Sequence, residues 1–308
     1  YTTFTLNVNP LPNTIIPTPL EVCDDNNDGF AIFNLTDKNV EILNGQSGVS
    51  VAYYETLADA NSATNPLFDP YTNIIINAQT IYVRLEDNNT NCYNTTTLNL
   101  IVNPLPVPNA PTPLEACDDD TDGFSIFDLT SKDAEVLNGQ TGVVVSYHET
   151  QSDADNDVNN LTSPYNNIVP FNQTVYVRLE NTTSGCYDTV QLLLTVNSLP
   201  VISSISDYEL CDYNNPNDDQ EFFDLSIKDT EALSGEANVI VNYYETQADA
   251  LAGTNALISP YQNISNPQII YVGLENTVTG CISITTFNLI VHPLPVIVVP
   301  TLLGVCDD

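Results

Sequence analysis

Apolar and polar residues alternate over short stretches of this chain, and the stretches come back. The clearest is residues 80–86, where Ile81, Val83 and Leu85 fall on one side of an extended chain and Tyr82, Arg84 and Glu86 on the other. The first three are predicted to face a core and the other three to face out. Val49, Val51 and Tyr53 alternate with Ser50, Ala52 and Tyr54 in a second strand, in which one tyrosine ring faces the core and the other covers the sheet surface. Residues 93–102 give a last strand and 30–35 a short, irregular one. Residues 15–22 read as an edge strand or stiff linker, because Pro17 and Pro19 cannot donate to a ladder. Thr36, Thr130 and Ser226 read as helix N-caps, with Asp133 and Asp229 as acidic capping partners and Gly45, Gly139 and Gly235 at the left-handed end. A second helical turn is expected around residues 58–60.

This pattern is one unit written three times. Asn9-Pro-Leu-Pro returns as Asn103-Pro-Leu-Pro, Asn197-Ser-Leu-Pro and His292-Pro-Leu-Pro, in steps of 94, 94 and 95 residues. Such a period is too long for a solenoid turn and fits one bead-like domain. The expected layout is residues 1–10 as the last strand of a preceding repeat, 11–104, 105–198 and 199–293 as three repeats, and 294–308 as the start of a fourth. Tyr1 corresponds to Tyr93 inside a repeat, so the protein's own N-terminus is expected to lie further upstream. Short strands punctuated by turns in about 94 residues predict an all-β fold: tandem immunoglobulin-like β-sandwich domains, each with one or two short helices.

Composition narrows the function. With 40 Asp plus Glu against 5 Lys plus Arg, the 308 residues carry a formal net charge of −35. Such a surface repels phosphates, which argues against nucleic acid and anionic membranes as partners. No stretch of 18 apolar residues exists, since Pro293, Pro295 and Pro300 break the best candidate, so direct membrane insertion is not expected. The content of 42% hydrophobic residues is that of a globular protein.

Seven cysteines keep the repeat beat, Cys23, Cys117, Cys211 and Cys306 in one series and Cys92, Cys186 and Cys281 in the other. Regular spacing predicts disulfides and an oxidising, extracytoplasmic setting. Two pairings are open: Cys23–Cys92, Cys117–Cys186 and Cys211–Cys281 within repeats, or Cys92–Cys117 and Cys186–Cys211 across the joints. A final strand of about ten residues, roughly 33 Å long, carries the chain away from Cys92, which favours the intra-repeat bond. The bland alternative is buried free thiols.

Each cysteine of the first series opens an acidic loop. Asp24-x-Asn26-x-Asp28-Gly29 and Asp118-x-Asp120-x-Asp122-Gly123 fit the first half of a calcium loop, in which alternate oxygens converge and glycine permits the sharp turn. The twelfth position, where a bidentate glutamate belongs, holds Leu35 or Leu129, so this is no EF-hand. Bound Ca²⁺ would need further oxygens, for instance from Asp25, Asp119, Asn34, Asp128, Glu55 or Glu149. The competing reading is an Asx-rich turn that satisfies its own backbone. In the third repeat Cys211-Asp-Tyr-Asn-Asn-Pro-Asn-Asp-Asp-Gln lacks the glycine.

No catalytic constellation stands out. His148 and His292 do not recur and read as surface substitutions. Lys38, Lys132 and Lys228 recur and read as solvated lysines rather than isopeptide donors. Sequons at Asn34, Asn94 and Asn181 carry little weight in a chain this rich in Asn and Thr. The chain is read as non-enzymatic.

The segments Cys-Asp-Asp-x-x-Asp-Gly-Phe, Tyr-Tyr-Glu-Thr-x-Ala-Asp-Ala at 53–60, Ile-Tyr-Val-Arg at 81–84 and Gly-Cys-Tyr at 185–187 resemble the tandem repeats of very large surface proteins of gliding Bacteroidetes. They are similar to SprB-type gliding adhesins exported by type IX secretion, and the resemblance covers all 308 residues. Gly273, where Arg84 and Arg178 stand, departs from it. The resemblance implies the stalk of a long extracellular filament in motility and attachment. Its partners would be neighbouring repeats of the same chain, with a substratum or surface polysaccharide held by other regions and the outer-membrane anchor in parts outside this sequence. The alternative is an array of carbohydrate- or protein-binding modules.

Overall fold

The computed structural model describes residues 2–233, 235–298 and 304. Its first repeat runs β1 (Leu20–Asp24), β2 (Ile32–Phe33), α1 (Asn39–Leu43), β3 (Val49–Tyr54), α2 (Leu57–Ser62), β4 (Tyr71–Thr72), β5 (Ala78–Asp87) and β6 (Tyr93–Pro104). The second runs β7 (Leu114–Asp118), β8 (Ile126–Phe127), α3 (Asp133–Leu137), β9 (Val143–His148), α4 (Gln151–Asn156), β10 (Tyr165–Asn166), β11 (Asn172–Asn181) and β12 (Tyr187–Ser198). The third runs β13 (Tyr208–Cys211), β14 (Phe222–Phe223), α5 (Asp229–Leu233), β15 (Val239–Tyr244), α6 (Gln247–Ala252), β16 (Tyr261–Gln262), β17 (Gln268–Asn276) and β18 (Ile282–His292).

Each repeat is a β-sandwich of immunoglobulin-like build. A four-stranded sheet in the order β1-β6-β5-β3 is matched by a two-stranded sheet of β2 and β4, and the later repeats keep the same order. The pairing of β1 with β6 runs parallel and places Cys23 beside Asn103, as do the equivalent pairings of β7 with β12 and β13 with β18 for their own cysteines, while the other pairings of the first repeat are antiparallel. The chain divides into two compact units, and the division falls within the middle repeat. One holds Tyr1–Thr112, Asp128–Ser163 and Thr174–Leu192, the other Pro113–Phe127, Pro164–Gln173 and Leu193–Asp308. Residues 299–303 and 305–308, where most of the expected fourth repeat and Cys306 fall, lie outside the described residues.

In the first unit Ile81, Val83 and Leu85 are fully buried against Phe33, Leu35, Ile42, Leu98 and Leu100, as their alternation predicts. Burying each is worth about 1.5–3 kcal/mol. The second unit repeats this with Phe223, Leu225, Ile270, Val272, Leu274 and Leu289.

The opposite faces of these strands are less open than alternation suggests. Arg84 is buried at 8% exposure because the end of α2 lies over it. Its Nη1 donates to the Ala60 carbonyl at 2.9 Å, its Nε to Glu86 at 2.7 Å, and its guanidinium stacks 3.4 Å from the Tyr93 ring centre. Arg178 does the same with Ala154, Glu180 and Tyr187. In the third repeat Gly273 replaces the arginine and Ile282 the tyrosine; a side chain at Gly273 would meet Tyr244 at 3.1 Å. Tyr53 and Tyr54 are both buried. The Tyr53 hydroxyl donates to Asn39 of α1, and the equivalent Tyr147 and Tyr243 donate to Asp133 and Asp229, so these aspartates anchor a phenol rather than cap a helix. Burial pushes all three phenols far above the usual tyrosine range.

The first helix also begins earlier than its hydroxyl residues suggest. A 3₁₀ turn starts at Leu35, Leu129 and Leu225, capped in the later repeats by Asp128 and Asp224 on the Thr130 and Ser226 amides. In the first repeat Asn34 makes no such bond, and Asp69 instead accepts from the Leu35 and Thr36 amides. Asn44 and Asn138 occupy the left-handed C-cap, one residue before the predicted glycines. The hydroxyl N-caps belong to the second helix: Thr56, Thr150 and Thr246 each accept from the amide three residues on and donate to that residue's carboxylate.

Candidate functional site: the cysteine loops and the joints

The two series of cysteines stand at opposite ends of the longest strand. β6 extends from Tyr93 to Pro104, and the parallel register of β1 puts Cys23 level with Asn103. Cys92, immediately before β6, is therefore about 36 Å away along the strand at roughly 3.3 Å per residue. The third repeat repeats this, Cys211 lying opposite His292 at the far end of β18 from Cys281. A disulfide needs Cα atoms about 5.5–6 Å apart, so the predicted intra-repeat bonds are geometrically excluded. The strand length that spoke against pairing across the joint holds equally against pairing within the repeat once β1 is known to lie along the strand's far end.

The bonds formed skip further. Cys23 joins Cys186 and Cys117 joins Cys281, each with Cα atoms 5.6 Å apart and sequence separations of 163 and 164. This is neither pairing that the spacing suggested: a first-series cysteine reaches the second-series cysteine of the next repeat. Among the described residues Cys92, half-buried, and Cys211, exposed, are free. The partner cysteine is presented by a tight hairpin. Asn181 Oδ1 accepts from the Thr183 and Ser184 amides, the Gly185 amide donates to the Asn181 carbonyl, and Gly185 takes φ +71 just before Cys186. Asn276, Val278, Thr279 and Gly280 build the same turn before Cys281.

The joints are fastened by the recurring lysine. Lys38 is largely buried, not solvated: its Nζ donates to Thr18 Oγ1 at 2.7 Å and pairs with Glu41 at 3.0 Å, while Glu41 accepts from the Thr18 amide and hydroxyl. Lys132, Thr112 and Glu135 form the second copy, and Lys228, Ser206 and Glu231 the third. The hydrogen bond from the joint's backbone amide holds all three glutamates below the usual carboxylate range, with the lysine adding to it. Gln46 and Gln140 clamp the joint further back, each exchanging hydrogen bonds with the backbone of Asn13 or Val107. The sequence carried this signal in the joint residues Thr18, Thr112 and Ser206, which recur with the lysines.

The acidic loops close mainly on themselves. The Asp24 carboxylate, buried, accepts from the Asp28 and Gly29 amides, and Asp118 accepts from Asp122 and Gly123 in the same way. Gly29 and Gly123 hold φ +78 and +81 where Ile76 or Pro170 packs against the backbone, so only glycine fits. In the first repeat the Asn26 side chain is spent within the loop, its Nδ2 donating to the Asp28 carboxylate and its Oδ1 accepting from the Asp28 amide. In the second, ligand oxygens of Asp118, Asp120 and Asp122 lie within 4.8 Å of one another. The hydrogen-bonded approach of the Asp122 carboxyl, helped by burial and by charge repulsion, raises the Asp120 pKa. These three residues fit a hard cation, and the Asp24, Asn26 and Asp28 set fits one less well. Asp128 is engaged with Thr130 and Ser163, and Glu55 with Tyr71. In the third loop Glu221 accepts from the Tyr213 and Asn214 amides in place of the missing turn, and Asp212 Oδ1 has no hydrogen-bond partner among the described residues.

Clefts of about 530 and 580 Å³ open beside the first two loops. They are lined by Asp25, Asn26, Asp28, Phe30 and Ile32, and by the equivalent Asp119, Asp120, Asp122, Phe124 and Ile126. His148 is not a surface residue: it is fully buried, bonded to Ser146 and to the Val158 carbonyl. His292 is exposed and pairs with Glu209.

The Flavobacterium inter-domain disulphide bond domain profile matches three times, at residues 19–106, 113–200 and 207–295. The chain belongs to this family. Its tandem repeats fit a surface protein of Bacteroidetes, and its disulfides place it in an oxidising extracytoplasmic setting. No curated protein matches. Among solved structures, Drosophila N-cadherin EC1-4 is 11% identical over 90% of this chain and 74% of its own, at TM-score 0.19. A sialic acid binding region of a Streptococcus sanguinis adhesin is 14% identical over 92% and 78%, at 0.21. A SusE-like surface polysaccharide binding protein of Bacteroides thetaiotaomicron is 9% identical over 80% and 56%, at 0.22. At these scores the likenesses carry nothing about function. No helix among the described residues is long and apolar enough to cross a membrane.

Proposed function

We propose that this chain is part of the stalk of a long extracellular adhesive filament, anchored at the outer membrane through other regions and serving surface attachment and gliding. The observation that carries the reading is the pair of disulfides in the same register, each tying one repeat to the next, on a strongly anionic all-β array whose joints are clamped by Lys38, Lys132 and Lys228. Such a device links each repeat covalently to the next and leaves recognition to other regions. Type IX secretion is the export route this reading assumes. Ca²⁺ at Asp118, Asp120 and Asp122, and at Asp24, Asn26 and Asp28, would stiffen the loops that carry Cys117 and Cys23.

The second reading, an array of binding modules, is favoured by the matching clefts beside Phe30 and Phe124. Glycan arrays and substratum-coated beads probed with the whole chain separate the two. The stalk reading expects no binding above background, and saturable binding lost on Phe30→Ala and Phe124→Ala would overturn it.

A further inference from the structure

The disulfides are interlaced, and the consequence is covalent rather than conformational. Cys23–Cys186 closes a loop over residues 24–185 and Cys117–Cys281 one over 118–280, so the loops overlap without nesting. Every peptide bond from 24 to 280 lies inside at least one loop, both Pro-rich joints included. We propose that this interlacing makes the chain a load- and protease-tolerant tether whose covalent path bypasses the two joints between its complete repeats.

Tension applied at the two ends follows the shortest covalent route. That route runs along residues 1–23, crosses to 186, returns along the chain to 117, crosses to 281 and leaves through 308, using about 120 of the 308 residues. Residues 24–116, which hold the whole buried core of the first repeat, are off this route. So are residues 187–280, including β13, β15 and β17. Even with every repeat unfolded the oxidised chain can reach only about 400 Å, against about 1,050 Å reduced, at roughly 3.3–3.6 Å per residue. A single backbone break anywhere between 24 and 280 leaves the chain in one piece. Bonds confined within repeats would leave both joints as points of severance.

The device has its use in the stalk reading above, but its test is independent of what the filament does. A specific protease site is inserted in the first joint, between Asn109 and Ala110, or in the second, between Ser203 and Ser204, in the full chain. After cutting, non-reducing electrophoresis should show one species and reducing electrophoresis two. Cys23→Ser should release the fragments without reductant at the first joint only, and Cys117→Ser at the second only. Single-molecule stretching should give a contour near 400 Å that opens to about 1,050 Å in reductant. Fragments that separate without reductant in the unsubstituted chain, or a full-length contour under oxidising conditions, would overturn the proposal. Release at the first joint on Cys117→Ser but not Cys23→Ser would instead show Cys92–Cys117 pairing and overturn it too.

Discussion

Cys23 lies in register with Asn103, at the end of β6 where the chain leaves the first repeat. That one pairing directs the cysteine away from its own repeat and into the next. Peptide mapping of the unreduced chain should therefore recover Cys23 linked to Cys186 and Cys117 linked to Cys281, with Cys92 and Cys211 alkylated. In the chain-entropy model a closed loop of this length contributes about 5 kcal/mol, so Cys23→Ser should lower the melting temperature clearly. Recovery of a Cys23–Cys92 peptide would refute the register.

Arg84 depends on Tyr93 as its stacking partner, and the third repeat dispenses with both. Arg84→Ala should cost about 2–3 kcal/mol, because the Ala60 carbonyl loses its buried donor and Glu86 its partner. Combining Arg84→Gly with Tyr93→Ile, as in Gly273 and Ile282, should cost less than the sum of the single changes. Urea unfolding of the four variants measures this coupling; strict additivity would show that the two residues act independently.

Glu41 titrates below the usual glutamate range because the Thr18 amide and Lys38 favour its charged form. For a carboxylate depressed in the folded state, the stabilisation is present above its unfolded pKa and lost as pH falls through the folded one. The protection of the Thr18, Thr112 and Ser206 amides, taken against the intrinsic exchange rate at each pH, should then fall on acidification below the ordinary glutamate range. In Glu41→Gln the Thr18 amide should lose this dependence; an unchanged profile there would assign it to another group.

Asp120 titrates high because Asp122 faces it, which is the opposite sign. Its contribution favours the folded state at low pH and fades as pH rises through its raised value, leaving two facing charges. Added Ca²⁺ should reverse that loss, raising the melting temperature at neutral pH, with Asp120→Asn plus Asp122→Asn removing the response. Calorimetry with and without chelator is the check, and an identical melting curve in both would end the calcium proposal.

The strands that hold the core were legible because alternation needs only local chemistry. Ile81, Val83 and Leu85 are buried where the pattern put them, and the three-fold repetition, the short helices and the sandwich architecture follow from the same text. What failed were readings that depend on a second segment arriving from elsewhere. Arg84 looked exposed until the end of α2 covered it, Lys38 looked solvated until Thr18 and Glu41 enclosed it, and His148 looked like a surface residue until Ser146 and Val158 bonded its ring. The cysteines show the division most sharply. Residue order alone shows that they repeat in two series and that the chain is a tandem array. Which sulfur meets which is set by the folded arrangement, because pairing depends on β1 lying parallel along the far end of β6, a neighbour relation some eighty residues apart that no local spacing encodes.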